Sequence, residues 1–180
     1  MTFARKLLLA LGVLVLIPVV AIVTLLVASG YADKASPVFG GGELVSGELV
    51  TGPEPDWRFA HDVPTIELQL VNPPRSRVMW VVEHEGKPYV VSAYMSTTIG
   101  RFWKRWPVQA ERDGRAVMRI NGKRYERTLK RIKTGSVVEG VVSELRRKYR
   151  YQVTPADIEA GSMWLFELAP RNPASVGASN

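Results

Sequence analysis

The sequence predicts a mainly-β, α+β domain: a small antiparallel barrel with short helices over its openings, behind one N-terminal transmembrane helix. Three observations lead there. An uncharged apolar run opens the chain, two β-hairpins occupy its middle, and an amphipathic helix precedes a late apolar strand.

The apolar run is Leu7 to Ala28, interrupted only by Gly12, Pro18 and Thr24. As a helix it would span roughly 33 Å, enough for a hydrocarbon core of about 30 Å. A cleaved signal peptide normally has an apolar core of only about 7 to 15 residues, so we read this run as an uncleaved anchor. Arg5 and Lys6 precede it, while Asp33 and Lys34 cancel after it. The positive-inside rule then puts the N-terminus in the cytoplasm and the domain outside, in a periplasm where the cell has one. The absence of cysteine fits an oxidising compartment.

Residues 30–42, "GYADKASPVFGGG", read as a flexible stalk because glycine, proline and small polar residues dominate. "ELVSGELV" (43–50) offers a first short strand or two, and "IELQLV" (66–71) a further one. "RVMWVVEHEGKPYVVSAY" (77–94) is a hairpin around "HEGK". "AVMRINGKRYERTLKRI" (116–132) is a second, and its Asn121-Gly122 pair suits a type I′ turn in which both central residues take positive φ.

In "SVVEGVVSELRRKYR", Ser136 and Glu139 have capping-box spacing, and Val137, Val138, Val141, Val142, Leu145 and Tyr149 form a helical stripe. Its final cations oppose the helix dipole and add solubility. A short helix opens at Thr154-Pro155 and stops before Gly161, and "MWLFELA" (163–169) is the late strand. The expected division is an anchor (1–29), a stalk (30–42), a barrel domain (43–171) and a disordered tail (172–180).

Charge is concentrated. Residues 101–150 carry sixteen Lys/Arg against five Asp/Glu, whereas residues 31–100 carry five against nine. Such asymmetry points to an anionic partner or to a solvated surface. The basic segment opens with "RFWKRWP" (101–107). On a helical wheel Phe102, Trp103 and Trp106 share one arc and Arg101, Lys104 and Arg105 the opposite one, with the turn ending before Pro107. Nucleic-acid binding needs rings and cations on one surface, so a nucleic-acid partner is not expected. A membrane-surface turn and a barrel-rim turn with its rings inward both remain open. In the second case the cations would neutralise a phosphate.

Little else suggests chemistry. The sequence contains neither a Gly-x-Ser-x-Gly elbow nor a phosphate-binding glycine loop, and only two histidines, His61 and His84, so no metal site is expected. Both histidines read as surface or strand-end residues. Glu83 and Glu85 flank His84 on one face of a strand, as a carboxylate pair or a solvated hairpin end. Trp57, Trp80 and Trp164 read as core or rim aromatics.

The order of "GKPYVVSAY" (86–94), "GRFWKRWPVQAERDGR" (100–115), "MRINGKRYERTLKRI" (118–132) and "RRKYR" followed by "MWLFELAPR" resembles the flavin-binding split β-barrel family. That family includes pyridoxamine-phosphate oxidases and deazaflavin-dependent nitroreductases. "GGEL" and "DWRFAHDVPTIELQ" add a likeness to its membrane-anchored members. The resemblance covers roughly residues 41–171 and implies a split barrel holding FMN or a deazaflavin at its rim. It implies Ser92 and Tyr94 beside the ring system and Lys104 and Arg105 at the phosphate, with Arg101 on the same rim and Arg77 as a further phosphate contact. It also implies two-electron reduction of a small molecule and pairing of two chains. The family's usual Asn-Leu pair is replaced here by "RWPVQ", and Pro107 removes a backbone N–H. Two functions stand at this stage: a membrane-anchored flavin oxidoreductase, and a non-catalytic envelope module whose basic face docks anionic lipid or an acidic partner.

Overall fold

A computed structural model describes residues 2–97 and 105–171. The turn 101–104, with Arg101 and Lys104, and the expected disordered tail lie outside the described residues.

The chain begins with helix α1 (Phe3–Ser29), which buries none of its residues and runs through Pro18. Thr24 donates its hydroxyl to the Val20 carbonyl at 2.8 Å, which satisfies the one polar side chain in its middle. By length and composition α1 can cross a membrane. The strands are β1 (Glu48–Leu49), β2 (Thr65–Leu70), β3 (Arg75–Trp80), β4 (Val82–His84), β5 (Lys87–Ser92), β6 (Arg115–Ile120), β7 (Lys123–Ile132) and β8 (Trp164–Pro170). A 3-10 turn (Trp57–His61) and helices α2 (Trp106–Arg112), α3 (Val137–Tyr149) and α4 (Pro155–Glu159) complete the described elements.

The strands form one sheet in the order β3-β2-β6-β7-β8-β5-β4, antiparallel throughout, with β1 parallel to β7. This order contains the reason for its curl. β3 and β4 stand at opposite ends of the path, yet a single residue, Val81, separates them in the chain. The sheet must bend round on itself until its ends nearly meet, giving the half-barrel. The apolar run 77–83, read as one strand, is therefore split at a seam: Arg75–Trp80 pairs with β2 and Val82–His84 with β5. Buried Val81 would leave its backbone groups unpaired there. Tyr149 Oη accepts from Val81 N–H at 3.0 Å, and Lys148 Nζ donates to Val81 O at 2.7 Å.

Both expected hairpins form. Asn121 and Gly122 have φ of 49° and 74°, and Glu85 and Gly86 have φ of 52° and 74°, so each turn takes the positive-φ pair that a tight hairpin requires. Alternation then divides the core in two. Val90, Phe166 and Leu168 point into the barrel with Trp57, Leu68 and Met118. Tyr89 and Leu165 point outward against α3 and α4. Val138, Val141, Val142 and Leu145 form the buried stripe of α3, at about 1.5–3 kcal/mol each.

Three local expectations change. Ser136 is itself in helical geometry and makes no side-chain cap, whereas Thr154 and Asp157 form a full capping box on α4. Pro107 does not end a helical turn; it sits in the first turn of α2, where its missing N–H has no partner to lose. Residues 30–42 lie against the sheet instead of hanging free. Ala35 is buried, Gly41 pairs with Ser76, and Asp33 accepts from Arg119 at 2.9 Å. Gly41 and Gly42 serve close packing. A Cβ on Gly41 would come within 2.5 Å of Ser76 Oγ, and one on Gly42 would meet the Gly30 carbonyl.

Candidate functional site

A cleft of about 410 Å³ opens between β3, the end of β5 and α2, within the range of small-molecule sites. Arg77, Trp80, Ser92, Tyr94, Trp106 and Tyr151 line it, with Met79, Val91 and Met163. Three of the residues singled out in the sequence, Arg77, Ser92 and Tyr94, therefore share one cavity. Arg105 lies just before α2, exposed and outside the lining.

Arg77 is the unusual member. It sits mid-strand on β3, opposite Leu68, and its guanidinium lies 5.5 Å from the centre of the Trp106 ring. Its Nε is buried and has no hydrogen-bond partner, and no carboxylate stands within ion-pair distance among the described residues. Burial, with a contribution from nearby Arg75, pulls its pKa down to about 10. A charge enclosed in this way is expensive unless something pairs with it. The five donors of a guanidinium match a phosphate or carboxylate.

The rest of the cavity is aromatic and apolar. Trp106 is buried, packing on Phe166 at 5.5 Å, as the inward-facing reading of its turn requires. Trp80, read as a core or rim aromatic, is 41% exposed at the seam. It stacks on Tyr149 at 4.5 Å and 8° and meets Tyr151 edge-on. Burial, then a hydrogen bond with Tyr94, raises the Tyr151 pKa. Ser92 is buried, its Oγ 3.5 Å from Met95 Sδ, and Tyr94 reaches the cavity from a backbone with φ of 64°. Sequence reasoning missed Tyr151 and Met163, which enter only because α4 folds back behind β5. The one local signal for Tyr151 is Arg150, whose left-handed φ of 51° ends α3 and redirects the chain.

Most arginines of the basic segment are engaged inside the molecule. Arg119 bonds Asp33 and Glu67, Arg127 bonds Glu54, Arg131 bonds Glu111 and Arg147 bonds Glu144. Arg127 is fully buried, with the rings of Trp57 and Tyr125 at 4.8 and 5.2 Å. Lys148, read as solubilising charge, donates to the carbonyls of Ala60, Val63 and Val81 at 2.6, 2.6 and 2.7 Å. Burial brings its pKa down to about 8.

The histidines also change role. His61 Nε2 lies 2.6 Å from buried Glu83 and its Nδ1 3.3 Å from Glu144, so both ring nitrogens are used in joining the 3-10 turn, β4 and α3. Buried Glu83 also accepts from Gly86 N–H at 2.5 Å, whereas Glu85 is exposed. His84 packs on Gly140 of α3, where a Cβ would collide with its ring. Among the described residues, no cluster of His, Asp and Glu could hold a metal.

No family model and no curated protein matches the sequence. Solved structures with a similar course of chain include a conserved hypothetical protein of Mycobacterium tuberculosis, at 13% identity and TM-score 0.48, covering 72% of this chain and 86% of that one. A candidate pyridoxamine 5′-phosphate oxidase of Listeria innocua has 10% identity and TM-score 0.43, covering 63% and 90%. An F420 reductase has 11% identity and TM-score 0.41, covering 67% and 97%.

Proposed function

We propose that this chain is a membrane-anchored, extracytoplasmic oxidoreductase that holds a phosphorylated flavin or deazaflavin in the cleft between β3, β5 and α2. One observation carries the reading: a half-buried arginine, with a buried Nε that has no acceptor and no carboxylate partner among the described residues, on the wall of an aromatic-lined cavity of ligand size. The donor set fits such a group. Arg77 offers its guanidinium to the phosphate, a role the short helix α2 does not need to fill. Trp80, Trp106 and the methionines offer faces for a planar ring system. Ser92, Tyr94 and Tyr151 offer hydroxyls to its polar edge. Bound there, the cofactor supplies two-electron redox chemistry. The protein's part is to orient it, to neutralise its phosphate and to exclude water with the apolar wall. Arg101, Lys104 and Arg105 extend the same positive rim in this proposal, and a second copy of the chain would close the open side of the cleft.

In this proposal the N-terminus lies inside and α1 holds the domain at the outer face of a cytoplasmic membrane, a reading supported by Arg5 and Lys6 before the apolar run. The internal pairing of Arg119, Arg127, Arg131 and Arg147 leaves the alternative, a docking module with a basic face, with less charge to present.

The test is titration of the full chain in detergent with FMN and with a deazaflavin. Quenching of tryptophan emission that saturates, and is lost in Arg77→Met, is the expected outcome. A well-folded protein whose emission ignores both compounds would refute the proposal.

A further inference from the structure

We infer that the turn at residues 36–40, together with Tyr31, is seated in the headgroup layer of the bilayer that α1 crosses, so that the barrel rides on the membrane in one fixed orientation. This rests on the reading of α1 as a membrane span.

The first observation is the lack of slack after α1. Ala32 N–H still bonds Ser29 O at 3.1 Å, and Gly42 N–H bonds Ala32 O at 2.8 Å. Asp33 is then tied to Arg119, Ala35 N–H to Glu67 at 2.8 Å, and Gly41 to Ser76 through bonds of 2.9 and 3.0 Å. A free linker would add about 3.3 Å of reach per residue, and here no such residues remain.

The second observation sets the depth of the turn. Ser29, the last residue of α1, shares its hydroxyl between the Leu26 carbonyl of its own helix at 3.0 Å and the Phe39 carbonyl at 3.3 Å. The turn therefore lies level with the helix end. Where α1 leaves the hydrocarbon, this turn meets the headgroups.

The third observation is the turn's chemistry. Its tip is Pro37-Val38, with Val38 79% exposed, and Tyr31 beside it is 87% exposed. Apolar and tyrosine side chains favour this layer. The backbone is prepared for it as well. Ser36 N–H and Gly40 N–H bond each other's carbonyls at 2.8 and 2.9 Å, Val38 and Phe39 N–H both donate to Ser36 Oγ at 3.2 and 3.3 Å, and Pro37 has none. Every N–H of the turn is satisfied within it, which removes the main penalty for entering a water-poor layer. Exposed Lys34, and Arg75 packed over Gly30, stand beside it and can reach phosphates from its edge.

The absence of cysteine makes the test direct. Val38→Cys and, as a control on the distant β4–β5 hairpin, Lys87→Cys are labelled with an environment-sensitive fluorophore. The full chain is reconstituted in phosphatidylcholine–phosphatidylglycerol vesicles containing lipids spin-labelled at the headgroup or deep in the chain. Near-ultraviolet circular dichroism confirms that both variants fold. The expected result is blue-shifted emission at position 38, quenched several-fold more by headgroup spin labels than at position 87. Equal, water-like emission at both positions in a carbonate-resistant protein would overturn the seating while leaving the anchor intact. Emission at 38 shielded from water but indifferent to spin-labelled lipid means that protein covers the turn, and also overturns it. A chain extracted by carbonate overturns the anchor and the seating together.

Discussion

Arg77→Met should make the ligand-free protein more stable and destroy its site. The depression of the Arg77 pKa from the ordinary guanidinium range to about 10 indicates the order of what its charge costs on folding. At about 1.4 kcal/mol per pKa unit, that is about 3 kcal/mol. The contact with Trp106 returns about 1 kcal/mol, leaving about 2 kcal/mol of net strain. Because the folded pKa lies below the unfolded one, this penalty is complete at every pH below about 10. It is relieved only as pH rises above about 10. Methionine fills a similar volume without charge, so its variant should gain about 1–2 kcal/mol, or roughly 2–8 °C in Tm for a domain of this size. Binding should move the other way. Two charge-assisted hydrogen bonds to a phosphate are worth about 1.5–3 kcal/mol each, so affinity should fall by about 100-fold or more. Thermal melts followed by circular dichroism at pH 7, with and without FMN, give both quantities. A variant that melts below the wild type without ligand would show that Arg77 is a structural residue, and the case for an anion site would fail.

Other perturbations probe the frame around the site. Lys148→Met orphans three carbonyls near the seam and should lower stability by about 2–4 kcal/mol in urea unfolding, whereas Leu145→Ala on the same helix should cost about 2–5 kcal/mol through its cavity. Burial opposes ionisation of Asp33, but hydrogen bonds from Ser46, Val45 and Arg119 outweigh it and hold the carboxyl far below its usual 3.8. Its contribution is therefore complete above pH 3.8 and lost as pH falls below it. Asp33→Asn should flatten that acid limb of the pH–Tm curve, and an unchanged limb would count against the Asp33–Arg119 tie. Gly42→Ala should open the packed segment to protease cleavage between residues 30 and 47, with the barrel intact, since its Cβ has no space beside the Gly30 carbonyl.

What could be read in advance was local. Asn121-Gly122 and Glu85-Gly86 each announce a turn whose backbone requirement only a few residues meet, and the α3 stripe is a periodicity within one helix. What could not be read depends on where distant segments meet. Val81 is an ordinary valine in an apolar run until the curl of the sheet turns it into a seam. "GGG" looks flexible in sequence, and its glycines are instead explained by the neighbours they let in. The apolar surroundings of Trp80 leave core and rim both open, and the seam decides for the rim. Ser136 has the right spacing for a cap but the wrong backbone.

The charge pattern shows the same limit more sharply and locates the site. The sequence places its cations in residues 101–150 and suggests that an anion binds there. Folding sends two of those cations to carboxylates from the acidic part of the chain, Arg119 to Asp33 and Glu67 and Arg127 to Glu54. These pairs are cross-ties that hold residues 30–55 against the sheet, so part of the local excess serves folding. Lys148 is also desolvated, but three carbonyls take up its donors; Arg77, which belongs to the acidic part, has a buried Nε with no acceptor and no carboxylate partner among the described residues. A composition window cannot single it out, because isolation is a property of neighbours in space. Binding energy for an anion is greatest where a charge has been desolvated and left unpaired, and among the described residues that condition is met by Arg77 in the aromatic cleft.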